Sequence, residues 1–322
     1  MGEAAPTLVT EFQTEVVVTA VDRLADDVLR VSLANPDGTP LPGWTPGAHI
    51  DLVLGEGLVR QYSLCSSPKD TGTYSVAVLK TPDSRGGSIA VHRLQVGDQL
   101  VIRGPRNNFP LLGATRYRFI AGGIGITPIL PMIESAQSAG SDWHLYYGGR
   151  SRDSMTYLDL LAVYGDRVTV VPQDEKGLLD LPAILASPAS DTLVYVCGPE
   201  PLLAAVETGC QAWPQGALHL ERFAAKHTER EGPDEGFEVV LQRSGLTITV
   251  ASDTSVFQAM RDAGVSVLGS CLEGICGTCE TGVLDGEVDH RDSVLDQEEQ
   301  EAMDCMMVCV SRAKGNRLVL DA

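Results

Sequence analysis

Three cysteines stand within the stretch CLEGICGTC, Cys271 to Cys279, at a C-x4-C-x2-C spacing. A chain that keeps three thiols on one short loop must fold around whatever they bind. Thiols bunched in this way serve zinc, c-type haem, a redox disulfide or an iron–sulfur cluster, and spacing separates these. A structural zinc site usually shows two C-x2-C pairs, and c-type haem needs C-x-x-C-H. Here one such pair is present, Cys276 with Cys279, and Glu280 follows it in place of histidine. Burial as small apolar side chains is a poor account, because loop cysteines between glycines have little apolar surface to join. The order C-x4-C-x2-C…C is the plant-type 2Fe–2S pattern. Its fourth thiol must come from further along, where Cys305 and Cys309 both stand. Gly269, Gly274 and Gly277 allow the loop to wrap a cluster and aim amide N–H groups at its sulfides.

Bulk composition narrows the partners. A length of 322 residues suits two or three domains, each with its own core. The 43 acidic against 24 basic residues, a formal charge of -19, argue against nucleic acid, because phosphate binding wants a basic face. An acidic surface suits a basic protein partner, or serves solubility alone. No apolar run approaches the roughly 18 residues that cross a bilayer, and MGEAAPTLVTEF has neither a basic start nor a hydrophobic segment. Pro6 stands where a myristoylation signal wants serine or threonine. A cytoplasmic protein with no membrane partner is therefore expected, and its eight cysteines are not expected to form structural disulfides.

Along the chain the pattern changes twice. From about residue 10 to 112, short apolar runs such as TEVVVTAV, DVLRVSLA, HIDLVL and DQLVIRG are separated by Gly, Pro, Asn and Asp, which predicts an antiparallel barrel or sandwich. One helix, SIAVHRLQ from Ser88, interrupts it. From about residue 116, strands alternate with helices (RYRFIAG, TPILPMIESAQSAG, DWHLYYGGR, RVTVVP, TLVYVCGP), which predicts a parallel sheet covered by helices. The polar stretch AKHTEREGPDEG is the linker candidate. Two strands, a helix and the cysteine loop follow.

Two further motifs bear on chemistry. In RQYSLCSSP, residues 60–68, Arg60 and Tyr62 share one face of a strand, and a charge, a ring and a hydroxyl together suit a planar cofactor that carries phosphate. Gly86, Gly87 and Ser88 then open a helix whose free N–H groups form an anion site. In FIAGGIGITPIL, a strand runs into a glycine turn and a helix, with Thr127 as cap and Pro128 at the first helical position. Gly122, Gly123 and Gly125 let the backbone approach a pyrophosphate. The pattern is G-x-G-x-x-P, and no acidic residue ends the next strand, which closes on Arg150. His49, His92, His144 and His219 have no clustered partners in sequence and are read as structural or surface residues.

Taken together, RQYSLCSSP, SRGGSIAVHR, GPRNNFPL, FIAGGIGITPIL, VCGPEPLL, CLEGICGTCETGVLDGEVDHRDSVLD and CMMVCVSRA resemble the phthalate dioxygenase reductase family over practically the whole chain. The resemblance implies a multidomain fold: an antiparallel β-barrel flavin domain over 1–112, an α/β parallel-sheet nucleotide domain over 113–228, a linker over 229–236, and an α+β β-grasp ferredoxin domain over 237–322. It implies that Arg60 and Ser88 hold the flavin phosphate, that Tyr62, Ser63 and Leu64 flank the isoalloxazine, and that Gln61, Lys80, Gly86 and Gly87 belong to the same site. Cys197, Gly198 and Pro199 are implied near the nicotinamide, with Gly122, Gly123, Gly125, Thr127, Pro128 and Arg150 binding the dinucleotide. Phe223 is implied to lie against the flavin where nicotinamide enters, and Ser63, Cys197 and Phe223 are the implied catalytic residues. For Cys197 a buried strand-end thiol is the alternative. The cluster ligands implied are Cys271, Cys276, Cys279 and Cys309, leaving Cys305 in the core beside Met303, Met306 and Met307.

The implied function is a converter of electron number. NADH delivers a hydride to FMN, electrons pass singly to the 2Fe–2S cluster, and an external oxygenase accepts them. NADPH, held by Arg150, Ser151 and Arg152, is the alternative donor. The implied acceptor is a terminal Rieske oxygenase that hydroxylates aromatic rings or removes O-methyl groups, with a haem-thiolate monooxygenase as alternative. A redox sensor without turnover is the alternative of a different class. From Phe237 onward there are 15 acidic and 6 basic residues, so an acidic docking face is expected.

Overall fold

The computed structural model describes residues 12–55, 57–81, 84, 86–225, 234–295 and 297–322. The alternating runs of the first segment form six strands: β1 (Gln13–Ala25), β2 (Val28–Ala34), β3 (His49–Gly55), β4 (Leu58–Ser63), β5 (Tyr74–Leu79) and, after helix α1 (Gly87–Val91), β6 (Gln99–Arg106). They pair antiparallel in the order β4-β3-β6-β1-β2-β5. The two end strands meet again through an antiparallel bridge from Leu64 to Val76, so the sheet curls into a barrel rather than a sandwich. Val16, Val31, Leu33, Ile50, Leu52 and Ile102 fill it and are fully buried. Helix α1 starts one residue earlier than the sequence suggests, at Gly87 behind the Gly86 cap, and it is shorter, because His92 already caps its C-terminal end.

The second segment is a five-stranded sheet of β7 (Arg116–Gly122), β8 (Asp142–Gly149), β9 (Val168–Pro172), β10 (Thr192–Cys197) and β11 (Leu218–Glu221). Every pairing is parallel and the order is β11-β10-β7-β8-β9. Between them lie α2 (Ile126–Ala139), α3 (Leu158–Ala162), α4 (Gln173–Lys176), α5 (Leu181–Leu185) and α6 (Glu200–Gly209). Alternate residues of β7 serve opposite faces: Phe119 and Ala121 join one buried cluster and Ile120 the other. From β7 the chain builds outward to β8 and β9, then returns to β10 on the other side. The strand order thus reverses between β7 and β10, the place where open α/β sheets bind ligands.

The glycine turn departs from the sequence reading. Gly123–Gly125 make a 3-10 turn that runs straight into α2, so Gly125 is the cap. Thr127 is the second helical residue, buried, and its hydroxyl donates to the Ile124 carbonyl at 3.0 Å. Pro128 falls third, still inside the first turn, where amides have no intrahelical acceptor.

Barrel and sheet form one compact unit, and residues from Arg222 onward, with Pro199–Pro201, form a second. The segment joining β6 to β7 is held by two phenols. Tyr195 donates to the Pro110 carbonyl (2.9 Å) and accepts from the Leu112 amide (2.8 Å). Tyr117 donates to the Leu112 carbonyl and accepts from the Ala114 amide, both at 2.8 Å. Each such bond contributes about 1 kcal/mol net, while an orphaned buried group costs about 1–3 kcal/mol. On a second line, Ser67 of the barrel domain donates to Glu134 of α2 at 2.8 Å, and Cys65 Sγ lies 3.2 Å from the Tyr157 hydroxyl.

In the second unit β12 (Phe237–Leu241), β13 (Leu246–Val250), α7 (Val256–Asp262), β14 (Glu280–Asp285), β15 (Val288–Asp289), α8 (Gln297–Ala302), β16 (Cys305–Met307), β17 (Arg312–Ala313) and β18 (Arg317–Leu320) follow in order. The mixed sheet reads β13-β12-β18-β14-β16, with β12 and β18 parallel, and α7 packs Val256, Phe257 and Met260 into its core. This is the β-grasp arrangement. Of the expected linker, residues 229–233 lie outside the described residues. At Asp234 the chain is already anchored, since Arg291 donates to both its carboxylate oxygens (3.0 and 2.6 Å) and Arg312 donates to the Glu235 carbonyl at 3.0 Å. Among the described residues no helix is long and apolar enough to cross a membrane.

Candidate functional site

Strand β4 separates its motif onto two faces. Register with β3 sets Tyr62 opposite Ile50 and Arg60 opposite Leu52, whereas Gln61 faces Asp51 and Ser63 faces His49. Burial pushes the Tyr62 phenol up to about 12 against the opposing pull of the Arg60 charge, so the ring is a neutral surface at ordinary pH. Arg60 lies over the start of α1: a β-carbon added to Gly87 would sit 2.5 Å from Arg60 Cγ and 3.2 Å from its Nε. Only glycine admits the guanidinium stem there. Arg60, whose guanidinium also donates to the Val59 carbonyl at 2.8 Å, is thus brought beside Gly86, Gly87 and Ser88 at the start of α1, a cation at a helix start, which fits a phosphate-bearing flavin. Ser88 Oγ accepts the Thr81 amide at 3.2 Å. Lys80 follows β5 with its side chain exposed and its amide on the Asp27 carbonyl. Leu64 is fully buried in the barrel core, so its side chain is committed to packing.

At the reversal of strand order the two strand ends close on each other. A β-carbon on Gly125 would lie 2.2 Å from the Cys197 carbonyl oxygen, and one on Gly198 would lie 3.1 Å from Gly122 Cα. Gly122–Gly125 and Cys197–Gly198 thus pack backbone against backbone, the close approach that a dinucleotide-binding glycine turn at a reversal of strand order requires. Cys197 is fully buried, and desolvation, reinforced by the Glu221 charge, holds its thiol protonated. Phe223 follows β11 and is 41% exposed.

Glu221 is the residue that sequence reasoning missed. Parallel register sets it beside Cys197, and its Oε2 lies 4.0 Å from Cys197 Sγ and 3.4 Å from the Ser63 hydroxyl, which donates to it. The residue keeps some exposure, yet its carboxyl is withdrawn from solvent, and that desolvation raises it to about 8, with the Ser63 hydrogen bond opposing. Glu221 is thus a proton-holding group between the flavin strand and the nucleotide strand. Only the LERF context could have pointed to it; the register that aims it cannot be read from sequence. Opposite Ser63, His49 is buried and pushed down to about 4 by desolvation, hence neutral.

The cysteine loop spans the stretch between α7 and β14. Gly274 has φ +70, a conformation that favours glycine, and a β-carbon there would strike Val310 at 2.6 Å. Among the described residues no three His, Cys, Asp or Glu side chains converge on a single-ion site. The Cys271 and Cys276 thiols are coupled, and hydrogen bonding between them pushes Cys276 down to about 5 and Cys271 up. Cys279 and Cys309 are coupled likewise, with Cys279 lowered and Cys309 raised. Four thiols in this order are the donor set that a plant-type 2Fe–2S cluster takes. The Glu273 amide points at Cys271 Sγ at 3.3 Å, the kind of bond that tunes a cluster potential. Cys305 lies on β16, where desolvation and the charges of Glu280 and Asp304 push its thiol up to about 12.

A barrel with a flavin cradle, a parallel sheet with a dinucleotide crevice and a β-grasp unit with four thiols define a modular flavin and iron–sulfur reductase. The sequence matches the oxidoreductase FAD-binding domain over 15–110, the oxidoreductase NAD-binding domain over 119–208 and the 2Fe-2S iron-sulfur cluster binding domain over 239–314. It is 44% identical to the toluene-4-sulfonate monooxygenase system reductase subunit of Comamonas testosteroni, covering 95% of this chain and 98% of that protein. It is similar to the solved phthalate dioxygenase reductase (34% identity, TM-score 0.71, 96% of this chain and 98% of that one). It is also similar to an intact type IV self-sufficient cytochrome P450 monooxygenase (46% identity, TM-score 0.89), matching 99% of this chain but spanning 43% of that one. The chain belongs to the phthalate dioxygenase reductase family and is an NAD(P)H-dependent oxidoreductase that carries a flavin and a 2Fe–2S cluster.

Two outcomes test the site. Cys309→Ser is expected to abolish the cluster's visible absorbance and paramagnetic signal, whereas Cys305→Ser retains both; the reverse result would exchange their roles. Because folding raises the Glu221 pKa, the native state binds the extra proton between about 4.5 and 8, and the stability it confers below that window is lost as pH rises through it. Glu221→Gln should flatten this fall in urea-unfolding free energy measured from pH 5 to 8. An unchanged slope would remove Glu221 as its source.

Proposed function

We propose that this chain is the reductase component of a terminal Rieske oxygenase that acts on an aromatic substrate, with FMN as flavin, NADH as donor and the cytoplasm as its compartment. Its domains run over 1–112, 113–228 and 237–322, joined by a linker over 229–236. The observation that carries the reading is the meeting of Ser63, Cys197 and Glu221, which joins the flavin strand to the nucleotide strand within one compact unit. When bound, the flavin takes two electrons as hydride and releases them singly to the cluster.

The chain's own contributions are placement and proton control. Arg60 and Ser88 hold the flavin phosphate; Gly86 and Gly87 keep the cradle open, and Gln61 and Lys80 border it. Tyr62, Ser63 and the Leu64 backbone flank the ring, and Phe223 covers the place where nicotinamide enters. Gly122, Gly123 and Gly125 admit the pyrophosphate, Thr127 and Pro128 stiffen the helix behind them, and Arg150 takes the adenosine end. Cys197, Gly198 and Pro199 wall the nicotinamide, while Glu221 keeps a proton beside Ser63. Cys271, Cys276, Cys279 and Cys309 ligate the cluster.

A haem-thiolate monooxygenase is the second reading for the partner, favoured by the 46% identity to the self-sufficient P450. Either acceptor is expected to meet the acidic face of the ferredoxin domain, 15 acidic against 6 basic residues from Phe237 onward. NADH-driven reduction of a purified Rieske oxygenase should turn over steadily and slow several-fold between about 50 and 300 mM salt, since surface charges are screened beyond a Debye length of about 10 Å at 0.1 M. Salt-insensitive transfer would remove the electrostatic docking. Reduction that stops after one equivalent would mark a sensor instead.

A further inference from the structure

The sequence shows no acidic residue at the end of β8, where a dinucleotide-binding sheet meets the adenosine ribose. The fold supplies carboxylates from the neighbouring strand. Gly149 of β8 and Pro172 of β9 are in register, so the chain leaves both strands at one place, and the Asp174 amide donates to the Arg150 carbonyl at 3.2 Å. Arg152 then meets Glu175 as a fork, Nε to Oε1 at 2.8 Å and Nη2 to Oε2 at 3.2 Å. Ser151 and Ser154 cap the turn that presents Arg152, with Ser154 Oγ donating to the Ser151 carbonyl at 2.8 Å. Lys176 is turned away, its ammonium donating to the Val170 carbonyl at 2.9 Å. Arg150, Arg152 and Lys176 are thus matched in number by Asp153, Asp174 and Glu175, and the rim carries no net positive charge.

The ribose 2′ position is where NADH and NADPH differ. A 2′-hydroxyl is well met by a carboxylate, and a 2′-phosphate needs an Arg fork. The fork that Arg152 would offer a phosphate is engaged by Glu175. We propose that Glu175 is a specificity-determining residue which, by engaging the Arg152 fork, turns the adenosine end of the nucleotide site toward NADH and away from NADPH. This inference rests on the nucleotide reading given above, with the adenosine at the ends of β8 and β9.

The test is calorimetric binding of 2′,5′-ADP and 5′-AMP to the whole protein, which needs no turnover, backed by the ratio of kcat/KM for NADPH and NADH with ferricyanide. Wild type should bind 2′,5′-ADP no more tightly than 5′-AMP. Glu175→Gln should tighten 2′,5′-ADP about tenfold, the gain of one freed charge-assisted bond, with 5′-AMP moving less than about twofold, and the kcat/KM ratio should shift the same way. Adding Arg152→Ala should cancel the gain. If both ligands bind and Glu175→Gln leaves their ratio unchanged, the specificity role is wrong while the nucleotide site stands. If neither ligand binds, the nucleotide site itself is misplaced and the inference falls with it.

Discussion

Two tyrosine hydroxyls hold the flavin barrel and the nucleotide sheet as one body. Tyr117 and Tyr195 are anchored in adjacent parallel strands, and each uses its phenol both to donate and to accept along the segment that leaves the barrel. A flexible connection would leave the two halves of a hydride-transfer site free to drift, and misplacement by about 1 Å costs such a reaction on the order of a hundredfold. Here the two phenols tie down the Pro110 carbonyl, both backbone groups of Leu112 and the Ala114 amide, and in the same compact unit Ser63 of the barrel meets Glu221 of the sheet.

The β-grasp unit solves a different problem. Its thiols cannot be stabilised by a packed core alone, because four deprotonated sulfurs would repel one another. The loop brings up Cys271, Cys276 and Cys279 and the segment after β16 brings up Cys309, and hydrogen bonding to a neighbouring thiol lowers Cys276 and Cys279. Four thiols in this order are the donor set of a plant-type 2Fe–2S cluster. Arg291 and Arg312 secure the entry of the chain into the unit at Asp234 and Glu235, so the anchoring of the tether is built from the same domain that carries the cluster.

What the sequence made legible follows from local physics. Cysteine spacing, the glycine turn and the change from alternating strands to alternating strand and helix are properties of short windows, and each had its counterpart in the fold. Residues whose role depends on register across strands were not legible. Glu221 gains its place from pairing with Cys197, and Asp174 and Glu175 gain theirs from the shared end of β8 and β9. The helix start was misplaced by two residues because glycines can enter a 3-10 turn where the pattern suggested a threonine cap. Closure of the barrel, which one bridge between Leu64 and Val76 decides, has no signature in periodicity.

The most direct test of the whole account is an anaerobic titration of the purified protein with NADH, followed by visible absorbance and electron paramagnetic resonance. The account predicts that a flavin band and a cluster band bleach together while a rhombic 2Fe–2S signal grows. Bleaching of the flavin alone, with no such signal, would contradict the assignment of Cys271, Cys276, Cys279 and Cys309 as cluster ligands and the electron path built on them.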